Sequence, residues 1–235
     1  MKIRCDNGLC DRLRFIFSYY SKLKNNEKII VCWKINKKCN GHFLDLFEPI
    51  KNMEFTEDES NVDVYDWKPI VFNKKENIYK KLAPLPEIVE TVEIIKRKIG
   101  KYISIHVRRT DKAIRIGESQ RFSKLTPDED FINFLNRNKQ YNIFLATDCF
   151  YVQNKFKEIF KEKLFWFEKI KKPWNYRLED CETNGSDLCP NFRPTSLKST
   201  AIDLFTCIYS NKFMGTNFSG MSDFIYYNRK NKIFI

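Results

Sequence analysis

Short apolar runs alternate with segments of helical period along this chain, and that alternation limits the fold more than any other feature. Residues 2–5 form a strand candidate, and residues 6–11 turn the chain around Gly8. Leu9, Leu13, Ile16, Phe17, Tyr20 and Leu23 then recur at helical spacing, which predicts a helix from near Cys10. Residues 28–35 read as the next strand and complete a βαβ unit. Residues 42–47 predict a short helix before Pro49, and residues 54–66 an acidic, irregular stretch. Pro86 stands at a favoured first helical position, Ile88, Val92, Ile95 and Ile99 give that helix its apolar stripe, and Gly100 ends it.

The alternation restarts after Gly100. Residues 102–107 are an apolar strand, and Thr126-Pro-Asp-Glu-Asp is a helix start with a capping residue, a proline and first-turn acids. Residues 141–146 form another strand, ending at Thr147-Asp148, and Val152, Phe156, Ile159 and Phe160 mark a helix. A short strand at 164–167 precedes a polar stretch, 171–194, which reads as a long loop of the kind that often carries function. Thr195 or Ser196 caps a helix whose apolar face is Leu197, Ala201, Leu204, Phe205 and Ile208. Asp203 lies off that face, as a solvated carboxylate would. A strand at 212–215, a turn at 216–220, a helix at 221–228 and a last strand at 232–235 follow. This order predicts an α/β protein with mostly parallel, doubly wound sheets, in two halves at about 1–96 and 97–235.

Composition narrows the partners. The 235 residues carry a net charge of +12, which favours anionic ligands. The lysines are spread along the chain without a basic arm, zinc-finger spacing or RNA-binding signature, which argues against nucleic acid. Eight cysteines form no Cys-x-x-Cys pair and only two histidines are present, so no metal site is expected. Most of the cysteines fall within predicted strands and helices as small buried hydrophobes, although Cys181 and Cys189 could pair in an oxidising compartment. The first residues lack a signal-peptide core and no segment is apolar enough to span a bilayer. The expectation is a soluble, cytoplasmic protein without an integral membrane segment, or one trimmed of an anchor.

Arg108 and Arg109 follow the strand at 102–107 directly. Ligands of open α/β sheets bind at the carboxyl ends of strands. A guanidinium there suits phosphate, because its donors match phosphate oxygens bidentately and its charge is permanent. A basic pair after a strand is also what a solvated loop carries, so the context decides. Three further segments supply it: Phe144-Leu-Ala-Thr-Asp148 at a strand end, Ser196-Leu-Lys-Ser-Thr-Ala-Ile-Asp-Leu204 on a helix, and Met214-Gly-Thr-Asn-Phe-Ser-Gly-Met-Ser222 between a strand and a helix. The last offers backbone N–H groups, hydroxyls and a helix N-terminus to a phosphate.

The string His106-Val-Arg-Arg-Thr-Asp-Lys112 resembles the arginine motif of the α1,6-fucosyltransferases, including the Nod-factor enzymes and their protein O-fucosyltransferase relatives. The other three segments stand in that family's order and approximate spacing, over most of residues 100–228. The turn Gly8-Leu-Cys-Asp-Arg-Leu13 is similar to the family's Gly-x-Gly-Asn-Arg/Gln turn, with Cys10 in place of the second glycine and Asp11 in place of the asparagine.

The resemblance implies a GT-B-like fold, with two small Rossmann-type domains facing a cleft. It implies inverting, metal-independent transfer of L-fucose from GDP-fucose to a glycan or glycosylated acceptor, with no cofactor beyond that donor. Arg108 would hold the β-phosphate, and Arg109 would support it and its loop. His106 and Asp203 would contact guanine. Thr216, Ser219 and Ser222 would line the diphosphate pocket, with Gly8, Asp11, Arg12 and Asp148 completing the donor site. Residues 1–96 would face the acceptor and 97–235 the donor. Glu118 follows the arginine motif and is the candidate base, with Asp11 as the alternative. A non-catalytic nucleotide-sugar or glycan-binding module, or a transferase of another GDP-hexose, fits the same motifs.

Overall fold

The structure is a computed structural model that describes residues 1–24, 26–36, 38–65, 78–109, 126–168 and 196–234. Glu118, the 171–194 stretch, Cys181 and Cys189 lie outside the described residues.

Two four-stranded sheets organise the chain. The first has the order β3-β2-β1-β4, built from β1 (Lys2–Cys5), β2 (Ile29–Trp33), β3 (Met53–Thr56) and β4 (Val64–Tyr65). The second has the order β7-β6-β5-β8, built from β5 (Tyr102–Val107), β6 (Asn142–Thr147), β7 (Leu164–Phe165) and β8 (Phe213–Gly215). Every pairing among them is parallel. Parallel neighbours require crossovers. Helices supply several of them: α1 (Leu9–Tyr20) between β1 and β2, α3 (Asp128–Asn136) between β5 and β6, and α4 (Phe150–Phe160) between β6 and β7. The other α-helices among the described residues are α2 (Pro86–Ile99), which joins the sheets, α5 (Leu197–Tyr209) before β8 and α6 (Gly220–Lys230) after it.

The α/β alternation read from the sequence is thus present, with Pro86 at the first turn of α2 and Ser196 capping α5 by accepting the Ser199 N–H at 3.1 Å. Three expectations change. The stretch 54–66 is not irregular throughout, because it contributes part of β3 and all of β4. The short helix after Gly41 is a single 3₁₀ turn, Phe43–Asp45. Residues 231–234 turn back after α6 instead of adding a strand, and the Ile233 N–H donates to the Asn228 carbonyl at 3.1 Å.

β5 is buried along its whole length, and its two faces enter different cores. Ile103, Ile105 and Val107 pack with Phe131 and Leu135 of α3 and with Val152 and Phe156 of α4. Tyr102, on the other face, joins a larger core that includes Ile88, Val92, Leu204, Phe205 and Phe224, together with Ile3, Leu13, Phe17 and Val31 of the first sheet and its helix. This core links the two sheets.

Candidate active site

The arginine pair sits where β5 ends, and its two members divide. The Arg108 N–H donates to Thr216 Oγ1 at 2.9 Å, and the Arg109 N–H donates to Asp148 Oδ1 at 3.0 Å. The backbone here is therefore clipped on one side to the end of β8 and on the other to the end of β6. The Arg109 guanidinium donates through Nε and Nη2 to Asp128 Oδ1 at 3.1 and 2.7 Å, through Nη2 to the Thr126 carbonyl at 2.7 Å, and through Nη1 to the Arg108 carbonyl at 3.2 Å. It lies over the Phe131 ring, 5.8 Å from the centroid. Asp128 also binds Lys155 Nζ at 2.8 Å. Burial pushes the Asp128 carboxyl up, but the hydrogen bonds from Lys155 and Arg109 outweigh it and hold the group below its ordinary value. Arg109 thus anchors the turn to α3, while Arg108 is half-buried at the strand end.

The turn from β8 to α6 faces this strand end. Thr216 is buried, and its hydroxyl donates to the His106 carbonyl at 2.9 Å while accepting from the Arg108 N–H. The Asn217 N–H donates to Thr126 Oγ1 at 3.0 Å, so Thr126 holds the turn rather than capping α3. His106 Nδ1 and Ser222 Oγ share a hydrogen bond of 2.8 Å. Gly215 makes that contact possible, because a Cβ there would stand 2.5 Å from Ser222 Oγ and 2.6 Å from its Cβ. Phe218 is exposed at a left-handed φ of 58°, an unusual place for a bulky residue and one often associated with functional turns. Ser219 precedes α6, and its fully buried hydroxyl makes no hydrogen bond among the described residues. An unsatisfied buried polar group costs about 1–3 kcal/mol, so one at a helix N-terminus calls for an explanation.

The glycine turn of the first half reaches the same place. Gly8 precedes α1 at a φ of −70°, and a Cβ there would meet only the Lys38 carbonyl at 3.8 Å, so the protein itself does not require glycine. Asp11, in the first turn of α1, lies against Gly220 at the start of α6, with Oδ1 2.5 Å from where a Cβ would stand. Arg14 Nη1 approaches Asp11 Oδ1 at 3.4 Å and Asp223 Oδ2 at 3.6 Å, tying α1 to α6. Burial pushes the Cys10 thiol well above its ordinary value; the Asp11 charge adds to the rise, and Arg14 and, more weakly, Arg108 oppose it. Arg12 is fully buried: Nε donates to the Asn7 carbonyl at 2.5 Å, the guanidinium lies 4.7 Å from the Trp33 ring centroid, and Nη1 and Nη2 have no hydrogen-bond partner among the described residues. Burial raises the nearby Cys39 thiol to about 11, with Arg12 pulling against it.

The structure therefore brings His106, Arg108, Thr216, Ser219 and Ser222 together with Asp11 across the junction of the halves. Asp148 is engaged by the Arg109 backbone, and Arg12 lies beneath the glycine turn facing Trp33. Asp203 is buried at 5% exposure rather than solvated, because α5 is buried nearly all round. Sequence reasoning missed the roles of Thr126, Asp128, Arg14 and Gly215, and only the glycine carried a signal, as the last residue before a small-residue turn. No group of three or more His, Cys, Asp or Glu that could hold a metal is found among the described residues, nor is any helix there long and apolar enough to cross a membrane.

No protein-family model and no curated protein matches the sequence. Solved structures do. The chain is similar to the NodZ α-1,6-fucosyltransferase soaked with GDP-fucose, at 12% identity and a TM-score of 0.59 over 95% of this chain and 91% of that one. It is similar to the fucosyltransferase NodZ from Bradyrhizobium at 12% identity and a TM-score of 0.58, over the same 95% and 91%. It also matches POFUT1 in complex with GDP at 10% identity and a TM-score of 0.55, over 95% of this chain and 92% of that one. The resemblance first seen in the arginine motif thus extends to the whole architecture: two parallel sheets with their helices, in the GT-B-like α/β fold of these fucosyltransferase structures.

Proposed function

We propose that this chain is a metal-independent, inverting glycosyltransferase that passes L-fucose from GDP-fucose to a hydroxyl of a glycan or glycosylated acceptor. The observation that carries the proposal is the meeting of Arg108 with the β8–α6 turn. Arg108 stands at the end of β5 with its backbone held to Thr216, and the turn supplies the buried Ser219 hydroxyl and the start of α6. The fold is one in which NodZ was soaked with GDP-fucose and POFUT1 was crystallised with GDP.

The chemistry asks for what this arrangement offers. As the bond between the sugar and the β-phosphate breaks, negative charge grows on the departing GDP. A guanidinium and a helix N-terminus, fixed beforehand, stabilise that charge without a cation. In this reading Arg108 holds the β-phosphate, and Thr216, Ser219 and Ser222 line the diphosphate. His106 and Asp203 lie towards guanine, while Arg109 and Asp148 hold the arginine turn. Residues 97–235 carry the donor and 1–96 face the acceptor. A cytoplasmic setting goes with the proposal, since its reducing conditions suit buried thiols such as Cys5, Cys10 and Cys207.

The test is ligand-induced stabilisation without added metal. GDP at about a hundred times its Kd should add about 2.7 kcal/mol, a rise of about 5–10 °C in Tm for a chain of this size, and UDP should add little. Arg108→Ala should remove the GDP shift while leaving the unliganded Tm within about 2 °C of the parent. An unchanged GDP shift in that variant would remove the assignment. Sugar transfer to a panel of acceptors then separates a transferase from a binding module.

A further inference from the structure

We propose that Phe218 selects the sugar: with the site read as a GDP-fucose transferase, its ring is the apolar wall that recognises the 6-methyl group of L-fucose. Two costs meet at this residue. Its φ of 58° puts a bulky side chain in the left-handed region, where glycine and asparagine are at ease. The residue is also 38% exposed, so a large apolar surface is left partly in water. The other non-glycine residues with a left-handed φ among the described ones have ordinary reasons. Asn26, Asn52 and Asn61 belong to a type that tolerates this backbone, and Lys161 and Lys232 stand just beyond the ends of α4 and α6, where a left-handed residue commonly stops a helix. Phe218 stands instead between a strand and a helix. A non-glycine residue held in such a conformation marks a functional turn more often than a neutral one.

The turn fixes the place of this residue from both sides. The Asn217 N–H donates to Thr126 Oγ1 at 3.0 Å, and the Ser219 carbonyl accepts the Asp223 N–H at 2.9 Å in the first turn of α6. Arg108, the buried Ser219 hydroxyl and the start of α6 receive the β-phosphate. The sugar is bonded to that phosphate, and guanine lies at the other end of the diphosphate. The tip of the turn, one residue before Ser219, therefore borders the sugar.

The phosphate-binding groups cannot choose among sugars, because every GDP-sugar carries the same diphosphate. A phenyl ring can. It offers no hydrogen bond and gains by removing apolar surface from water. L-fucose is L-galactose with a methyl in place of the 6-hydroxymethyl group. A methyl against the ring loses nothing, whereas a hydroxymethyl pressed there gives up its hydrogen bonds to water. An apolar wall rejects an added hydroxyl by about a hundredfold at most.

GDP-L-fucose and GDP-L-galactose differ only at that carbon, so their hydrolysis tests the assignment without knowledge of the natural acceptor. The parent should release GDP from GDP-fucose with a kcat/KM about 10–100 times that for GDP-L-galactose. In Phe218→Gly the GDP-fucose value should fall until the ratio is within about threefold of one, while Phe218→Leu, which keeps apolar bulk, should retain most of the preference. The GDP-induced rise in Tm should persist in both variants. The unliganded Tm of Phe218→Gly should stay within about 3 °C of the parent, since glycine takes this φ without steric cost. A preference that survives in Phe218→Gly overturns the proposal. So does a Gly variant that loses its fold or its GDP shift, because the ring would then support the turn instead of reading the sugar. A parent that hydrolyses both donors equally overturns the sugar selection alone. A parent stabilised by GDP that releases no GDP from either donor overturns the transferase reading, and the selection with it.

Discussion

Asp128 receives two cations, Arg109 at 2.7 Å and Lys155 at 2.8 Å, and all three side chains are at least two-thirds buried. Asp128→Asn would leave the Arg109 charge underneutralised in a partly desolvated place. Exposed pairs contribute about 0–1 kcal/mol and removal of one partner of a fully buried pair costs about 3–5 kcal/mol, so this case should cost about 2 kcal/mol, or about 4–8 °C in Tm. The pH dependence has a definite sign. The folded-state pKa of Asp128 lies below its ordinary value, so its contribution is complete above that ordinary value, about 3.9, and is lost as pH falls through the folded value. Denaturant melts of parent and variant should differ fully at pH 6 and converge below about pH 4; a gap that persists undiminished at acid pH would remove the ionic explanation. By residue type alone the two adjacent arginines are equivalent. What separates them is an acid 19 positions after Arg109, which folding brings to it. No local pattern announces such a partner: the supporting part expected of Arg109 came from the family resemblance, and the Asp128 partner that anchors it came only with the fold.

At the scale of elements, the β8–α6 connection shows how little space the site has. Gly215 pairs with His106 in the sheet, and its missing side chain lets Ser222 approach both. Gly215→Ala places a methyl 2.5 Å from Ser222 Oγ and 2.9 Å from Phe213 Cζ, so α6 must shift. Overpacking of this kind costs about 1–3 kcal/mol. The expected outcome is a Tm lower by about 2–12 °C together with loss of the GDP-induced shift, because Ser222 and the start of α6 move as one body. Retention of both values would show that the turn tolerates displacement. The elements themselves were legible where they were long and periodic: α1, α2, α5, β5 and β6 all lie close to where the pattern puts them. β4, two residues long, is too short for any alternation, and β3 follows an acidic-apolar sequence whose strand character comes from pairing with β2. The burial of Asp203 was not legible for a related reason. A helix buried on almost every side has no polar face, so an acidic residue on it reads as solvated until its neighbours are known.

For the whole molecule, the decisive feature is that one core runs through both halves. Tyr79 packs its ring 5.0 Å from Phe224 and 5.5 Å from Tyr227, and Phe47 lies 6.3 Å from Phe205. Ile3, Leu13 and Phe17 of the first half belong to the same cluster as Leu204, Phe205 and Ile225 of the second. Separating the halves would expose these side chains to water at about 25 cal/mol for each Å² of apolar surface. Independent unfolding of either half is therefore unfavourable, even though each has its own sheet. A protein of 235 residues with two sheets would ordinarily be a candidate for stepwise unfolding. Here the shared core predicts one transition, with a calorimetric enthalpy matching the van't Hoff value and coincident loss of tryptophan fluorescence and helical circular dichroism. Two resolved heat-absorption peaks would show that the core does not couple the halves. The same coupling bears on the site, since Asp11 and Ser219 come from different halves and keep their separation only while that core is intact. Phe224→Ala, which hollows the core beneath α6 without touching the strand ends, should therefore cost about 3–5 kcal/mol of stability and weaken GDP binding as well. A variant that loses stability yet binds GDP as tightly as the parent at 10 °C would show that the donor side holds its shape without support from the first half.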